Sequence, residues 1–401
     1  MGEDAILPIA GIRLAATAAG IRYQGRDDLV LMELAPSSRC AAVLTRNAFC
    51  AAPVVLVRQH LGQSMPRYLL INAGNANAGT GAPGLAAARA CCQAVAEAAG
   101  CSFEEVLPFS TGVIGEPLPV ERIVAAIPAL LSSLQPNGWM EAARAIMTTD
   151  TRPKLVSRTF AIGGRRAAIT GIAKGAGMIC PNMATMLAFI ATDAQVAPEC
   201  LRACLHSAVD RSFNAITIDG DTSTNDACVL IATGTLGNPP LADLNDPGAR
   251  AFQEALDAVC RELAAEIVRD GEGATKLVRV RVEAARNRDE ARQVAYTIAH
   301  SPLVKTALSA SDPNWGRILA AVGRAGILDL AIEGVELWLG GIQVVAGGAR
   351  APTYTEADGA AAMAKPELLI RVALGRGDAC AEILTCDLSE DYVRINANYR
   401  S

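Results

Sequence analysis

The stretch 173–194, AKGAGMICPNMATMLAFIATDA, holds one lysine in a glycine-rich turn and then one hydroxyl, Thr185, at the head of an apolar run. Thr185 offers an oxygen nucleophile, but a neutral hydroxyl needs a base beside it. The three histidines, His60, His206 and His300, are scattered, and no serine stands in a G-x-S-x-G pattern, so a Ser-His-Asp triad is a poor fit. A threonine at a chain terminus carries a base of its own, an α-amine with an ordinary pKa of about 8. That chemistry requires the bond between Ala184 and Thr185 to be cut. Uncut, Thr185 is an ordinary strand residue. A second segment, STGVIGEPLP at 110–119, sets Thr111 beside Gly112 at the end of a strand-like run. On spacing alone this is a tight turn; a backbone N–H and a neighbouring hydroxyl aimed at one oxygen would instead form an oxyanion hole.

Other motifs exclude more than they offer. DGDTSTND at 219–226 spaces Asp219, Asp221 and Ser223 like the start of a calcium loop. Thr224 replaces the turn glycine and Leu230 the closing glutamate, so the segment reads as a polar loop lining a pocket. NAGNANAGTG and KGAGMI fit neither a Walker A loop nor a strand–GxGxxG–helix unit. Twelve cysteines form no C-x-x-C pair and read as small buried hydrophobes in a reducing cytoplasm, so neither a disulfide framework nor a zinc site is expected.

The elements that must hold these residues are aliphatic. Of 401 residues 51% are hydrophobic and only 4% aromatic, and the 19% charged content suits a compact or oligomeric protein. The net charge of −5 and the lack of a basic block argue against nucleic acid as a partner. The N-terminus has no signal or transit layout, Ile6 excludes a myristoylation signal, and no run of eighteen apolar residues occurs; the expectation is a soluble cytoplasmic protein without membrane contact. Residues 28–58, including APVVLVRQHL, read as strands. RYLLINAGNANAGTGAPG reads as a strand entering a loop that Pro83-Gly84 ends, before a small-residue helix stopped by Gly100. A hairpin is expected around Gly163-Gly164, and AITIDGDTSTNDACVLIATG reads as strand, polar loop, strand. Phe252, Leu256, Val259, Leu263 and Ile267 fall on one helical stripe. In SDPNWGRILAAVG, Ser311 is the expected helix cap. Strands come in adjacent pairs with helices between, which predicts an α/β or α+β layered fold with mixed or antiparallel sheets.

Taken together, KGAGMICPNMATMLAFIATDA, LINAGNANAGTG, FSTGVIGEPLP, ITIDGDTSTND, SPLVKTALSASDPNWGRILAAVG and DYVRINANYRS resemble, in order, the motifs of the glutamate N-acetyltransferases, or ornithine acetyltransferases, of arginine biosynthesis. The resemblance covers residues 8 to 401. It implies a fold related to self-processing aminopeptidases, and self-cleavage into an α chain of 1–184 and a β chain of 185–401 that stay together, usually as α2β2. It implies that Thr185 is the nucleophile, that Thr111 and Gly112 hold the oxyanion, and that Thr148, Lys174, Thr185, Glu272, Asn396 and Ser401 bind substrate. Ser401 departs from the many relatives that end in threonine, keeping a hydroxyl and a terminal carboxylate. The implied reaction is ping-pong acetyl transfer from N-acetylornithine to glutamate with no cofactor. Acetyl-CoA as a second donor stays open, and the alternative is an aminopeptidase or amidase that passes its acyl group to water.

Overall fold

The computed structural model describes residues 6–180 and 186–398, apart from the side chain of Asn398. The expected cleavage pair Ala184–Thr185 and the C-terminal Ser401 lie outside the described residues. The chain divides into two compact units, with residues up to Asn214 and from Asp221 to Ile267 in the first, and Ala215–Gly220 with the described residues from Val268 onward in the second.

The first unit holds two sheets. One has strands in the order Ile12–Thr17, Leu29–Leu34, Tyr68–Asn75, Val106–Val113, with the last pair parallel. The other runs Arg39–Leu44, Ala227–Ala232, Leu187–Thr192, Arg165–Lys174, Lys154–Ile162, parallel only between Leu187–Thr192 and Ala227–Ala232. The sheets face each other across Leu69, Ile71, Leu107 and Phe109 on one side and Ile172, Leu187, Phe189 and Val229 on the other. Phe109 and Phe189 meet edge to face at 5.0 Å, a geometry aromatic rings favour. The outer face of the first sheet is covered by helices Gly81–Ala99 and Val120–Ser132. Helix Pro247–Arg269 covers the second; Gly171 leaves room there for Leu263 and Val259, and a Cβ would stand about 3.1 Å from both. The stripe from Phe252 to Ile267 is wholly buried, as its spacing predicts. Burial on both faces explains why Leu187–Thr192 and Ala227–Ala232 read as continuous apolar runs rather than alternating ones.

In the second unit a six-stranded sheet runs Ala349–Arg350, Ile342–Ala346, Glu336–Leu339, Glu367–Ala373, Leu277–Ala285, Ala379–Cys386. Helix Arg288–Ala299 packs on this sheet, and helix Glu390–Asn398 follows the last strand. Among the described residues no helix is long and apolar enough to cross a membrane.

The mixed sheets and the Gly163-Gly164 hairpin agree with the sequence reading; Ile162 pairs with Arg165. Several local expectations fail for identifiable reasons. APVVLVRQHL is a helix, Ala52–Leu61, not a strand. Pro53 fits a first turn, and Pro53, Val54, Val57 and His60 bury one helical face, a pattern a short apolar run shares with a buried strand. Helix Gly81–Ala99 begins before Pro83 rather than after Pro83-Gly84. Gly84 is required within it, because a Cβ there would stand 1.9 Å from Thr80 Oγ1. Residues 215–218 form only a bridge at Ile216, not a strand. Asn314, not Ser311, caps helix Trp315–Gly323, its side chain accepting from the Arg317 N–H. Ser311 sits at a φ of 53°.

Candidate active site

Thr111 and Gly112 lie near the end of strand Val106–Val113, opposite Ala73 and Gly74 in the parallel neighbour. The register slips there, with Asn75 facing both Thr111 and Val113. Gly112 adopts a φ of 133°, and a Cβ on it would fall 2.2 Å from the Gly74 carbonyl carbon. Only glycine accepts both the dihedral and this approach. The irregularity breaks the regular ladder at half-buried backbone, as bulges beside functional sites commonly do.

The loop 219–226 braces this strand end. Asn225 Nδ2 donates to Ser110 O at 2.9 Å and to Ala76 O at 2.6 Å, tying both parallel strands to the loop. Thr45 Oγ1 donates to Ser223 O at 2.7 Å. The sequence made this a polar loop lining a pocket; in the structure Ser223, Asn225 and Asp226 are buried and act as a hub between strands. Asp226 follows Asn225, and its Oδ1 accepts the Met186 N–H at 2.9 Å. Its Oδ2 is buried without a hydrogen-bond partner. Burial drives this carboxyl well above its ordinary range, against the Met186 N–H, the Lys174 charge and the Thr45 side chain, which pull the other way.

Met186 opens strand Leu187–Thr192, whose first residue pairs with Lys174 on one side and Ala227 on the other. Lys174 ends its own strand, and its Nζ donates to Thr148 Oγ1 at 2.8 Å. Thr148 and Lys174, matched to substrate binding from separate motifs, therefore meet. Beneath them Asp150 is buried with four contacts. Its Oδ1 accepts from Lys154 Nζ at 2.6 Å and from the Gly175 N–H at 2.7 Å. Its Oδ2 accepts from the Thr148 N–H at 3.1 Å and faces Lys174 Nζ at 3.8 Å. Burial alone would raise the Asp150 pKa; the Lys174 and Lys154 charges and the Gly175 N–H override it and hold the carboxyl at about 2.

In the second unit, Asn396 Nδ2 donates to Glu272 Oε2 at 2.7 Å, so these two expected binding residues also meet. Glu272 is buried in the turn after helix Pro247–Arg269, where Gly273 approaches the Tyr392 N–H so closely that a Cβ would stand 2.5 Å away. Among the described residues no group of three or more His, Cys, Asp or Glu is arranged to hold a metal ion. Asp150, Lys154, Asn225 and Asp226 carry much of this geometry and had no individual role in the sequence reading. The one local hint was the four-residue spacing of Asp150 and Lys154, a common surface pairing that here is wholly buried.

Comparison with known proteins gives a consistent result. Residues 13–401 match the ArgJ family. Over its full length the chain is 61% identical to the arginine biosynthesis bifunctional protein ArgJ of Methylococcus capsulatus, spanning 98% of that protein. It is 54% identical to the protein of that name from Pseudomonas syringae pv. tomato, covering 99% of this chain and 98% of the relative. Among solved structures, ornithine acetyltransferase of Mycobacterium tuberculosis complexed with ornithine is 36% identical, aligning 43% of this chain with 92% of that one at a TM-score of 0.38. A match through nearly every residue, at identities above half, means that the chain belongs to the ArgJ family.

Proposed function

We propose that this ArgJ-family enzyme, an acetyltransferase of arginine biosynthesis, cuts itself between Ala184 and Thr185 and then uses Thr185 to carry acetyl from N-acetylornithine to glutamate. In the precursor, the Thr185 hydroxyl attacks the Ala184 carbonyl; the acyl group moves from nitrogen to oxygen, and water releases it. In the processed enzyme the freed α-amine takes the hydroxyl proton as oxygen attacks the acetyl carbonyl. Thr111 and Gly112 hold the developing oxyanion, and the proton leaves with ornithine. The glutamate amine then attacks the acetyl-threonine ester, restoring Thr185. Thr148 and Lys174 hold the substrate carboxylate; Glu272, with Asn396, receives the amine end, and Ser401 completes the binding set. The bifunctional name of both relatives supports acetyl-CoA as a second donor to glutamate. The working form is an α2β2 assembly in the cytoplasm.

The observation that carries this reading is the convergence around Met186 N, one peptide bond from Thr185. Asp226 grips that N–H, Lys174 flanks the next residue, and Asn225 ties the same loop to the strand bearing Thr111 and Gly112. The hydrolase alternative shares the nucleophile logic but does not account for family membership. Intact-mass analysis of purified protein should give two polypeptides, and Thr185→Ala one uncut chain. Wild-type protein remaining a single chain would sink the self-processing mechanism. Labelled N-acetylornithine with glutamate should yield labelled acetylglutamate in excess of acetate; acetate alone would favour hydrolysis.

A further inference from the structure

Lys154 is not a member of the proposed substrate-binding set, yet it is wholly buried against the carboxylate that lies beneath Thr148 and Lys174. Antiparallel pairing sets Lys154 opposite Ala173, next to Lys174, so both ammonium groups reach the same acid. Their approach is unequal. Lys154 Nζ lies 2.6 Å from Asp150 Oδ1, whereas Lys174 Nζ stands 3.8 Å from Oδ2 and donates to Thr148 Oγ1 at 2.8 Å. The Thr148 and Gly175 N–H groups occupy further lone pairs of Asp150. Two cations beside one carboxylate compete for it, and in a buried setting the loser keeps more of its charge for other anions.

We propose that Lys154 is a positioning residue: by occupying Asp150 it holds Lys174 off that carboxylate, leaving the Lys174 ammonium aimed with Thr148 at the carboxylate of the incoming amino acid. This rests on the reading of Lys174 as a substrate-binding residue and assigns a task to a side chain outside the proposed binding set. Without Lys154, Lys174 closes on Asp150, forming the pair that Lys154 now forms, and turns away from Thr148. Asp150 stays paired, so the loss falls on binding rather than on folding. The charge pattern gives this competition its own signature. Removing the acid together with its first partner takes away the carboxylate that Lys174 would close on, which restores the function that the single change removes.

The test is steady-state kinetics on processed enzyme with N-acetylornithine as the varied substrate. Lys174→Met removes a charge-assisted contact, for which a KM increase of about 10- to 100-fold is expected. Lys154→Met is expected to raise KM about tenfold with kcat nearly constant, the signature of lost binding shared by ground and transition states. The double variant Asp150→Asn/Lys154→Met is expected to return KM to within about threefold of wild type, a reversal that a merely structural Lys154 would not produce. If Lys154→Met does not fold, Lys154→Gln, whose neutral amide competes for Asp150 more weakly than an ammonium, is expected to raise KM in the same direction by a smaller factor. A raised KM in Lys174→Met with an unchanged KM in the Lys154 variant overturns the competition; so does a double variant no better than the single. An unchanged KM in Lys174→Met overturns instead the substrate-binding reading beneath it.

Discussion

Two buried aspartates in the first unit respond to similar burial in opposite ways. Asp150 has two ammonium groups and two backbone N–H donors, and its carboxyl stays ionised down to about pH 2. Asp226 has one N–H partner and an orphan oxygen, so burial dominates and its pKa rises. The signs for stability follow by linkage. Asp150, depressed below its ordinary 3.8, contributes stability above about pH 4 that fades as pH falls toward 2. Asp226, raised above 3.8, favours the fold most below about pH 4, and that contribution is lost as pH climbs through its folded pKa. Asp226→Asn keeps an acceptor for the Met186 N–H and removes the ionisation. Thermal melts should match wild type near pH 4 and show a more stable variant at pH 8, with a gap that widens with pH. A gap independent of pH would mean that Asp226 is not held neutral by burial. At the strand end, Thr111→Ala should lower kcat by about 10²–10³ if its hydroxyl stabilises an oxyanion, while KM changes little. Gly112→Ala should fail structurally first, since its Cβ would lie 2.2 Å from the backbone of the neighbouring strand; a lowered melting temperature checks this.

Elements here are specified unevenly. Helix Pro247–Arg269 has a long stripe, wholly buried from Phe252 to Ile267, and the sequence announces it without help from the rest of the fold. Leu256→Ala in that stripe should cost about 2–5 kcal/mol in equilibrium denaturation, the usual range for truncating a wholly buried leucine. Helix Ala52–Leu61 is the opposite case. Its ten residues carry a Val-Val-Leu-Val run that suits a strand as well as a helix, and the decision comes from the strand Val106–Val113 on which it packs. The loop 219–226 has no periodic signal at all, and its meaning lies in partners up to 178 residues away in sequence.

At the scale of the molecule, the proposed cleavage bond does not separate the two compact units; it falls inside the first. The five-stranded sheet draws Arg39–Leu44, Arg165–Lys174 and Lys154–Ile162 from before residue 185, and Leu187–Thr192 and Ala227–Ala232 from after it. Strand Leu187–Thr192 pairs backward with Arg165–Lys174, and Arg39–Leu44 pairs forward with Ala227–Ala232. Both proposed products are therefore interleaved by main-chain ladders and by the shared core of Phe109 and Phe189. The two polypeptides should co-elute in size exclusion without denaturant and separate only in urea or guanidinium. Release of either chain under native conditions would contradict this.

Candidates for the chemistry were legible locally: a lysine turn followed by a threonine, a Thr-Gly pair ending a strand, and motifs in a recognisable order. Apolar spacing and turn residues are local properties, and they also set out the helices, the hairpin and the mixed character of the sheets. Which charges meet was not legible. Asp150 and Lys154 look like a surface pair at helix spacing, and Asp226 looks like the end of a polar loop. Their burial, and with it one carboxyl held at about 2 and another driven upward, exists only when strands distant in sequence close around them. The physical reason is that desolvation and charge coupling depend on what surrounds a group in three dimensions, which neighbouring residues in the chain do not set.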